Sequence, residues 1–321
     1  MTDPRSSRCY VIALGGNAII PLGQRGTFAE QLGLARETMD QVAELAAAGH
    51  RIVMTHGNGP VVGNIVLRND AGEQLHGIPP MPMFVCGADS QGGLGFMIQQ
   101  ALQNALRARG VDRTVASIVT QVRIDPDDPA FQNPTKYIGP YYDREQANTL
   151  QRELGWAVRE DKGRGWRRVV PSPMPREVVE WPAIRAVLDA GVIAVAVGGG
   201  GVPVARHPES GDLYGVDAVI DKDLASDLLG RLIGADVLVI VTQIDRVYKH
   251  FGGPDQEGLD VLTTADARAL MEAGEFAPGS MGPKIEAALN FLAGGGHEVI
   301  ITDPPSLLQA VAGRAGTRIV R

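Results

Sequence analysis

Apolar residues fall along this chain in two spacings. Short unbroken apolar runs, typical of strands buried on both faces of a parallel sheet, occupy Cys9–Leu14, Arg51–Thr55, Val115–Val122, Val192–Val197, Ala235–Val241, Glu298–Ile301 and Thr317–Val320. Amphipathic stretches lie between them. Thr27 and Glu30 form a capping-box pattern that predicts a helix through Leu34, Met39, Val42 and Leu45, closed by Gly49. Pro60 opens a second helix, and Asp89-Ser90 predicts the cap of a long one from Gln91 to Arg109. Further helices are predicted over Trp181–Ala190, from Lys222 through Leu232, over Thr264–Ala273 and after Gly282. Strand, glycine loop and helix alternate, as in a parallel α/β sheet with crossovers.

The texture breaks between Arg123 and Val179. Prolines, aromatics and charges crowd this stretch, a polar helix is predicted over Asp143–Leu154, and the pattern alternates on both sides of Asp161–Gly165 as in a β-hairpin. An inserted subdomain is expected there. The expected organisation is a disordered tail over 1–8, a first part of the core over 9–122, a protruding subdomain over 123–179, and a second part of the core over 180–321.

Composition narrows the function classes. Net charge is −7 with no basic tail, which argues against nucleic acid as a partner. The start of the chain, MTDPRSSR, has no apolar targeting core, and no apolar run reaches about 18 residues, so a soluble cytoplasmic protein that does not bind membranes is expected. Cys9 and Cys86 match no metal-ligand spacing. No dedicated metal cluster is expected.

Four glycine loops, at 15–16, 57–59, 198–201 and 279–282, each follow a strand or open a helix. In an open parallel sheet such loops share the edge where ligands bind, and glycine lets backbone N–H groups approach phosphate oxygens. Tight turns alone also require glycine. Neither GxxxxGK[ST] nor a GxGxxG opening the first helix is present.

The lysines sharpen the reading. There are five, Lys136, Lys162, Lys222, Lys249 and Lys284, and the rest of the 30 basic residues are arginine. Three lie in unusual strings, NPTK, IDKD and GSMGPK. Lys222 and Lys284 both fall in the first turn of a predicted helix, where a cation opposes the helix dipole at a cost of up to ~1 kcal/mol. A bound anion such as phosphate relieves that conflict, and so does a salt bridge to Asp221 or Asp223. Asp223 is placed to bridge both ammoniums, or simply to cap its helix. His56 reads as a turn hydrogen-bonder ahead of a catalytic base. Asn17 and Asn58 either aim amide donors into the cleft or take left-handed turn geometry.

The strings VIALGGNAII, THGNGPVVGN, DPAFQNPTKYIGP, GRGWRRVVPSP, VGGGGVPV, VIDKDLASDLL and FAPGSMGPKIEAAL, in order from Tyr10 to Thr317, resemble the carbamate kinase family of the amino acid kinase superfamily. The resemblance implies a three-layer αβα sandwich around a mainly parallel sheet of about eight strands, a homodimer, and a subdomain carrying NPTK that closes over the active site. It implies reversible phosphoryl transfer between ATP and carbamate, ATP-forming in arginine catabolism, with Mg²⁺ carried on the nucleotide. Catalytic roles then fall on Lys136, Lys222, Asp223 and Lys284. Gly15, Gly16, Asn17, Gly57, Asn58 and Gly59 would hold carbamate or carbamoyl phosphate. Thr242, Tyr248, Ala277, Pro278, Gly279, Ser280 and Met281 would hold ATP or ADP. This chain departs from the family pattern at Gly93, at Tyr137 and in the middle of 241–256. The rival readings are a related kinase acting on an acidic amino acid or nucleoside monophosphate, and a non-catalytic nucleotide-binding regulator.

Overall fold

The computed structural model describes residues 7–16, 26–161, 165–277 and 279–321. Its main sheet has eight strands in the order Val261–Thr263, Thr317–Val320, Glu298–Thr302, Val237–Val241, Cys9–Leu14, Arg51–His56, Ile193–Val195 and Val115–Ser117. All of these pairings are parallel except Glu298–Thr302 against Thr317–Val320.

Side chains of a strand alternate between faces, and the two faces carry separate apolar cores. In Cys9–Leu14, Val11 and Ala13 enter one core while Tyr10, Ile12 and Leu14 enter the other. Ile184, Leu229 and Phe291 bring the helices Trp181–Asp189, Lys222–Ile233 and Met281–Ala293 onto the first. Met39, Ile98 and Leu307 bring Phe28–Ala47, Met83–Ala108 and Leu307–Val311 onto the second. The result is the expected αβα sandwich.

Three local expectations are corrected. The run Val115–Val122 is not one strand. Val115–Ser117 ends the main sheet, and Gln121–Arg123 belongs to a four-stranded sheet with Glu177–Val178, Val202–Arg206 and Leu213–Gly215. The long helix starts at Met83, not Gln91. Asp89-Ser90 caps nothing, because Ser90 Oγ donates back to Gly87 O at 2.7 Å inside the helix. The apolar run Val192–Val197 is strand only over Ile193–Val195, since Val197 turns into a left-handed conformation.

Residues 136–170 hold a three-stranded antiparallel sheet of Lys136–Tyr142, Trp166–Val170 and Val158–Glu160, with the helix Arg144–Leu154 capped by Asp143. It seats on the helix Gly59–His76 through Val62, Val66, Ile138 and Val170. Gly63 and Gly139 meet backbone to backbone there, so a Cβ on Gly63 would collide with Gly139 Cα. At the N-terminus, residues 1–6 of the expected tail lie outside the described residues. Ser7 Oγ donates to Gly49 O at 2.7 Å, and Arg8 pairs with Glu298 at 2.7 Å.

Candidate active site

The C-terminal ends of the central parallel strands deliver three loops to one edge of the sheet. The ladder runs one step past each strand: Gly15 N–H donates to Val241 O, Gly57 N–H to Leu14 O and Thr242 N–H to Thr302 O, each at 2.8 Å. The amides of Gly15 and Gly57 are occupied by the sheet and are not available to a substrate oxygen. The N–H groups of Gly16, Asn58 and Gly59 have no hydrogen bond among the described residues. Asn17 and Pro278 lie outside the described residues.

Close packing explains the other glycines. A Cβ on Gly16 would stand 2.5 Å from Gly59 Cα, and one on Gly57 would stand 3.3 Å from Lys222 Cδ. The first two glycine loops therefore stack on each other and on the stem of Lys222. Asn58 has φ −96°, which rules out the left-handed alternative. His56 is buried, and its Nδ1 donates to Gly57 O at 3.0 Å, leaving Nε2 unprotonated in the neutral ring. Burial, reinforced by the nearby Lys222 charge, pulls its pKa down to about 4.

Lys222 is the first residue of its helix, and Asp221 is the N-cap, accepting Asp223 N–H at 2.9 Å. Asp223 is 2% exposed. One of its carboxylate oxygens pairs with Lys222 and the other accepts from Lys284 Nζ at 3.1 Å. Lys284 lies in the first turn of Met281–Ala293 and also donates to Ser280 O at 3.2 Å. Lys136, at the start of its strand in the subdomain, places Nζ 2.6 Å from Asp221. Ser226 braces the same helix: its hydroxyl lies 2.6 Å from Lys222 O and 2.6 Å from Thr55 Oγ1.

The lysines are thus not left unbalanced. Each is paired with a carboxylate, and the salt-bridge alternative describes them directly. The pairing is incomplete, however. Three ammoniums face two carboxylates, and each ammonium has three N–H donors. Lys222 and Lys136 each use one donor among the described residues, and Lys284 uses two. The cluster keeps a positive charge and unused donors at the ligand edge of the sheet.

Burial would push the Asp223 carboxyl up, but Lys222 and Lys284 outweigh it and hold it far below the usual carboxylate range. Lys136 does the same for Asp221. Burial, helped by the Lys284 charge, lowers Lys222. For Lys284, burial is outweighed by Asp223 and Asp221, which raise it above its ordinary value.

The Amino acid kinase family model matches residues 8–303. The chain is 48% identical to the carbamate kinase of Pyrococcus horikoshii over 96% of its own length and 98% of the relative's. It belongs to the amino acid kinase family, among the carbamate kinases. The carbamate kinase of Thermococcus kodakarensis is 49% identical, with 97% and 98% covered. Among solved structures, carbamate kinase from Giardia lamblia bound to AMP-PNP superposes with a TM-score of 0.89 at 40% identity, covering 98% of this chain and 99% of that one.

In this carbamate kinase family member, the residues expected on the nucleotide side form two groups. Thr242 follows the strand Val237–Val241, and Tyr248 donates its hydroxyl to Asp245 at 2.7 Å while its ring lies 6.0 Å from that of Phe251. Ala277 O accepts from Ser280 N–H at 3.3 Å and from Gly282 N–H at 3.1 Å, Gly279 takes φ 75°, and Met281 begins the Lys284 helix. Reading the sequence did not single out Thr120, Gln91 or Val197, which hold the third glycine loop. Thr120 looks like any strand residue, and nothing local marks its distant partners.

Proposed function

We propose that this protein is a carbamate kinase, catalysing reversible phosphoryl transfer between ATP and carbamate. The observation that carries the reading is Asp223 holding Lys222 and Lys284 on its two oxygens, with Lys136 on the neighbouring Asp221. Carbamate and the β-phosphate of ADP are both oxyanions at neutral pH, so neither needs a general base. The barrier is the in-line approach of two anions while charge spreads over the transferring oxygens. Fixed cations and free backbone N–H groups lower it by electrostatic preorganisation.

In this reading Lys222 and Lys284 serve the transferring group, Lys222 from the nucleotide side, and Asp223 keeps them apart. Lys136 arrives with the subdomain and completes the cage from the small-substrate side. The N–H groups of Gly16, Asn58 and Gly59, unbonded among the described residues, take the small-substrate oxygens. Thr242, Tyr248 and 277–281 take the nucleotide. Among the described residues no group of three or more His, Cys, Asp or Glu side chains is arranged to hold a metal. Mg²⁺ is assigned to the nucleotide phosphates, as part of the substrate, as the family resemblance implies.

A homodimer is the expected assembly. Phe96 and Val119 are more than half exposed, and the sheet ends nearby at Val115–Ser117, the strand just before Val119; this surface suits a second copy. No helix among the described residues is long and apolar enough to cross a membrane. The cytoplasm and ATP formation in arginine breakdown complete the proposal, and two buried free cysteines suit a reducing compartment.

One coupled assay tests the function: ATP formation from ADP and carbamoyl phosphate, with acetylglutamate and UMP offered as acceptors from ATP. Formation of ATP with neither alternative acceptor used is expected. Preferential phosphorylation of either acceptor refutes the proposal.

A further inference from the structure

The turn Gly198–Gly201 has no space for any side chain. A Cβ on Gly198 would stand 2.5 Å from His56 Nε2, and one on Gly199 would stand 2.7 Å from Asn58 Nδ2. Cβ atoms on Gly200 and Gly201 would collide with Ile220 O and with Val122. The turn is therefore a wedge. One side bears on His56 and Asn58 of the second glycine loop, and the other on Ile220, next to the Asp221 cap of the Lys222 helix.

The wedge is entered through Val197 at φ 52°, a conformation that β-branched residues avoid. The neighbourhood that holds it is buried and polar. Val197 N–H donates to Thr120 Oγ1 at 3.0 Å, and that hydroxyl donates to Ile118 O at 2.8 Å. At the far end, Val202 N–H donates to Thr120 O at 2.8 Å. Thr120 thus holds both ends of the turn. Gln91 in turn fixes Thr120, with Oε1 accepting Thr120 N–H at 2.8 Å and Nε2 donating to Thr120 O at 3.0 Å. Thr120 and Gln91 are 0% and 4% exposed.

We propose that Thr120 is a positioning residue for phosphoryl transfer. It clasps the Gly198–Gly201 turn so that the turn sets the spacing between the His56–Asn58 loop and the start of the Lys222 helix. Thr120 touches no substrate and acts through the turn. The activity arm of its test rests on the carbamate kinase reading, and the exchange arm does not.

Thr120→Val keeps the shape and leaves Val197 N–H without an acceptor. Its kcat is expected to fall at least ~10-fold, because small displacements of reacting groups are costly, while KM for ADP stays within about twofold. Amide hydrogen exchange at Gly57 and Asp223, whose N–H groups donate to Leu14 O and to the Asp221 carboxylate, should quicken at least ~10-fold as these segments loosen. Thr120→Ser, which keeps the hydroxyl, should stay within about twofold of the parent. The decisive variant adds Val197→Gly to Thr120→Val. Glycine adopts φ 52° without strain, so at least ~3-fold of kcat should return and exchange should slow. Undiminished kcat in Thr120→Val overturns the proposal, as does a loss that Val197→Gly leaves untouched. If Thr120→Val does not fold, Gln91→Met is measured against the same criteria. If the parent protein makes no ATP from carbamoyl phosphate, the functional reading fails and exchange alone decides: quickening that Val197→Gly reverses upholds the clasp, and unchanged exchange overturns it.

Discussion

Lys136 reaches out of the subdomain and sets its ammonium 2.6 Å from Asp221, 85 positions further along the chain. The contact joins the three-stranded sheet of residues 136–170 to the helix that carries Lys222. Lys136→Ala removes the cation on the small-substrate side and leaves the nucleotide side intact. KM for carbamoyl phosphate should rise at least ~10-fold, with ADP binding within about twofold. Steady-state kinetics with each substrate varied provides the check, and equal loss for both substrates counts against the assigned side.

Lys222→Ala and Lys284→Ala should each lower kcat by at least ~100-fold, the usual scale for losing one donor to a transition state. Circular dichroism confirms that each variant is folded before rates are compared. Near-normal turnover in either removes that lysine from the reaction.

Asp223→Ala leaves two buried ammoniums without their shared partner. Removing one member of a buried ion pair costs about 3–5 kcal/mol, so the urea midpoint should drop accordingly. A midpoint unchanged within experimental error would mean that the aspartate does not hold the lysines together.

The pH dependence of stability carries two opposing contributions. His56 has its pKa lowered to about 4, so the unfolded chain binds more protons than the native one between about pH 4 and 6.5. Its stabilising contribution is complete above that window and falls by about 3 kcal/mol on acidification through it. Asp227 is buried, and burial raises its carboxyl to about 6 despite hydrogen bonds from Arg231 at 2.8 and 3.1 Å. Here the native chain binds more protons between about pH 4 and 6, so stability falls by about 3 kcal/mol as pH rises across that window. The two slopes nearly cancel in the parent protein. Asp227→Asn should uncover the His56 slope. Relative to the parent, the variant should lose about 3 kcal/mol of stability between pH 7 and pH 4 in denaturant titrations.

Gly63→Ala places a methyl group against the Gly139 backbone and forces the subdomain away from the Gly59–His76 helix. Lys136 lies three residues before Gly139 on the same strand and moves with it. The expected result is at least a ~10-fold fall in kcat/KM for carbamoyl phosphate with little change for ADP. Parent-like kinetics would mean that the subdomain does not need this seat.

The sandwich was legible because its strands are buried on both faces and read as unbroken apolar runs. Lys222 and Lys284 were legible because a cation at a helix start contradicts its own electrostatics. What escaped was one local contact and several non-local ones. Ser90 resembles a cap until its hydroxyl is seen turned back on Gly87. Nothing along Val115–Val122 says that the chain changes sheets in its middle. The Lys136–Asp221 pair and the Thr120 hydrogen bonds join residues far apart in sequence: Lys136 and Asp221 stand out in their own strings, but nothing in either string says that they meet.

The strand Cys9–Leu14 lies in the middle of the main sheet, between Arg51–His56 and Val237–Val241. It precedes both neighbours in the chain, so when paired with Arg51–His56 alone it would present a bare apolar edge until Val237–Val241 had also been made. A nascent chain in that state is exposed to mispairing with its copies. Fragments ending before residue 236 are thus poor candidates for autonomous folding, and the full-length chain should depend on chaperone protection most heavily while that edge is open.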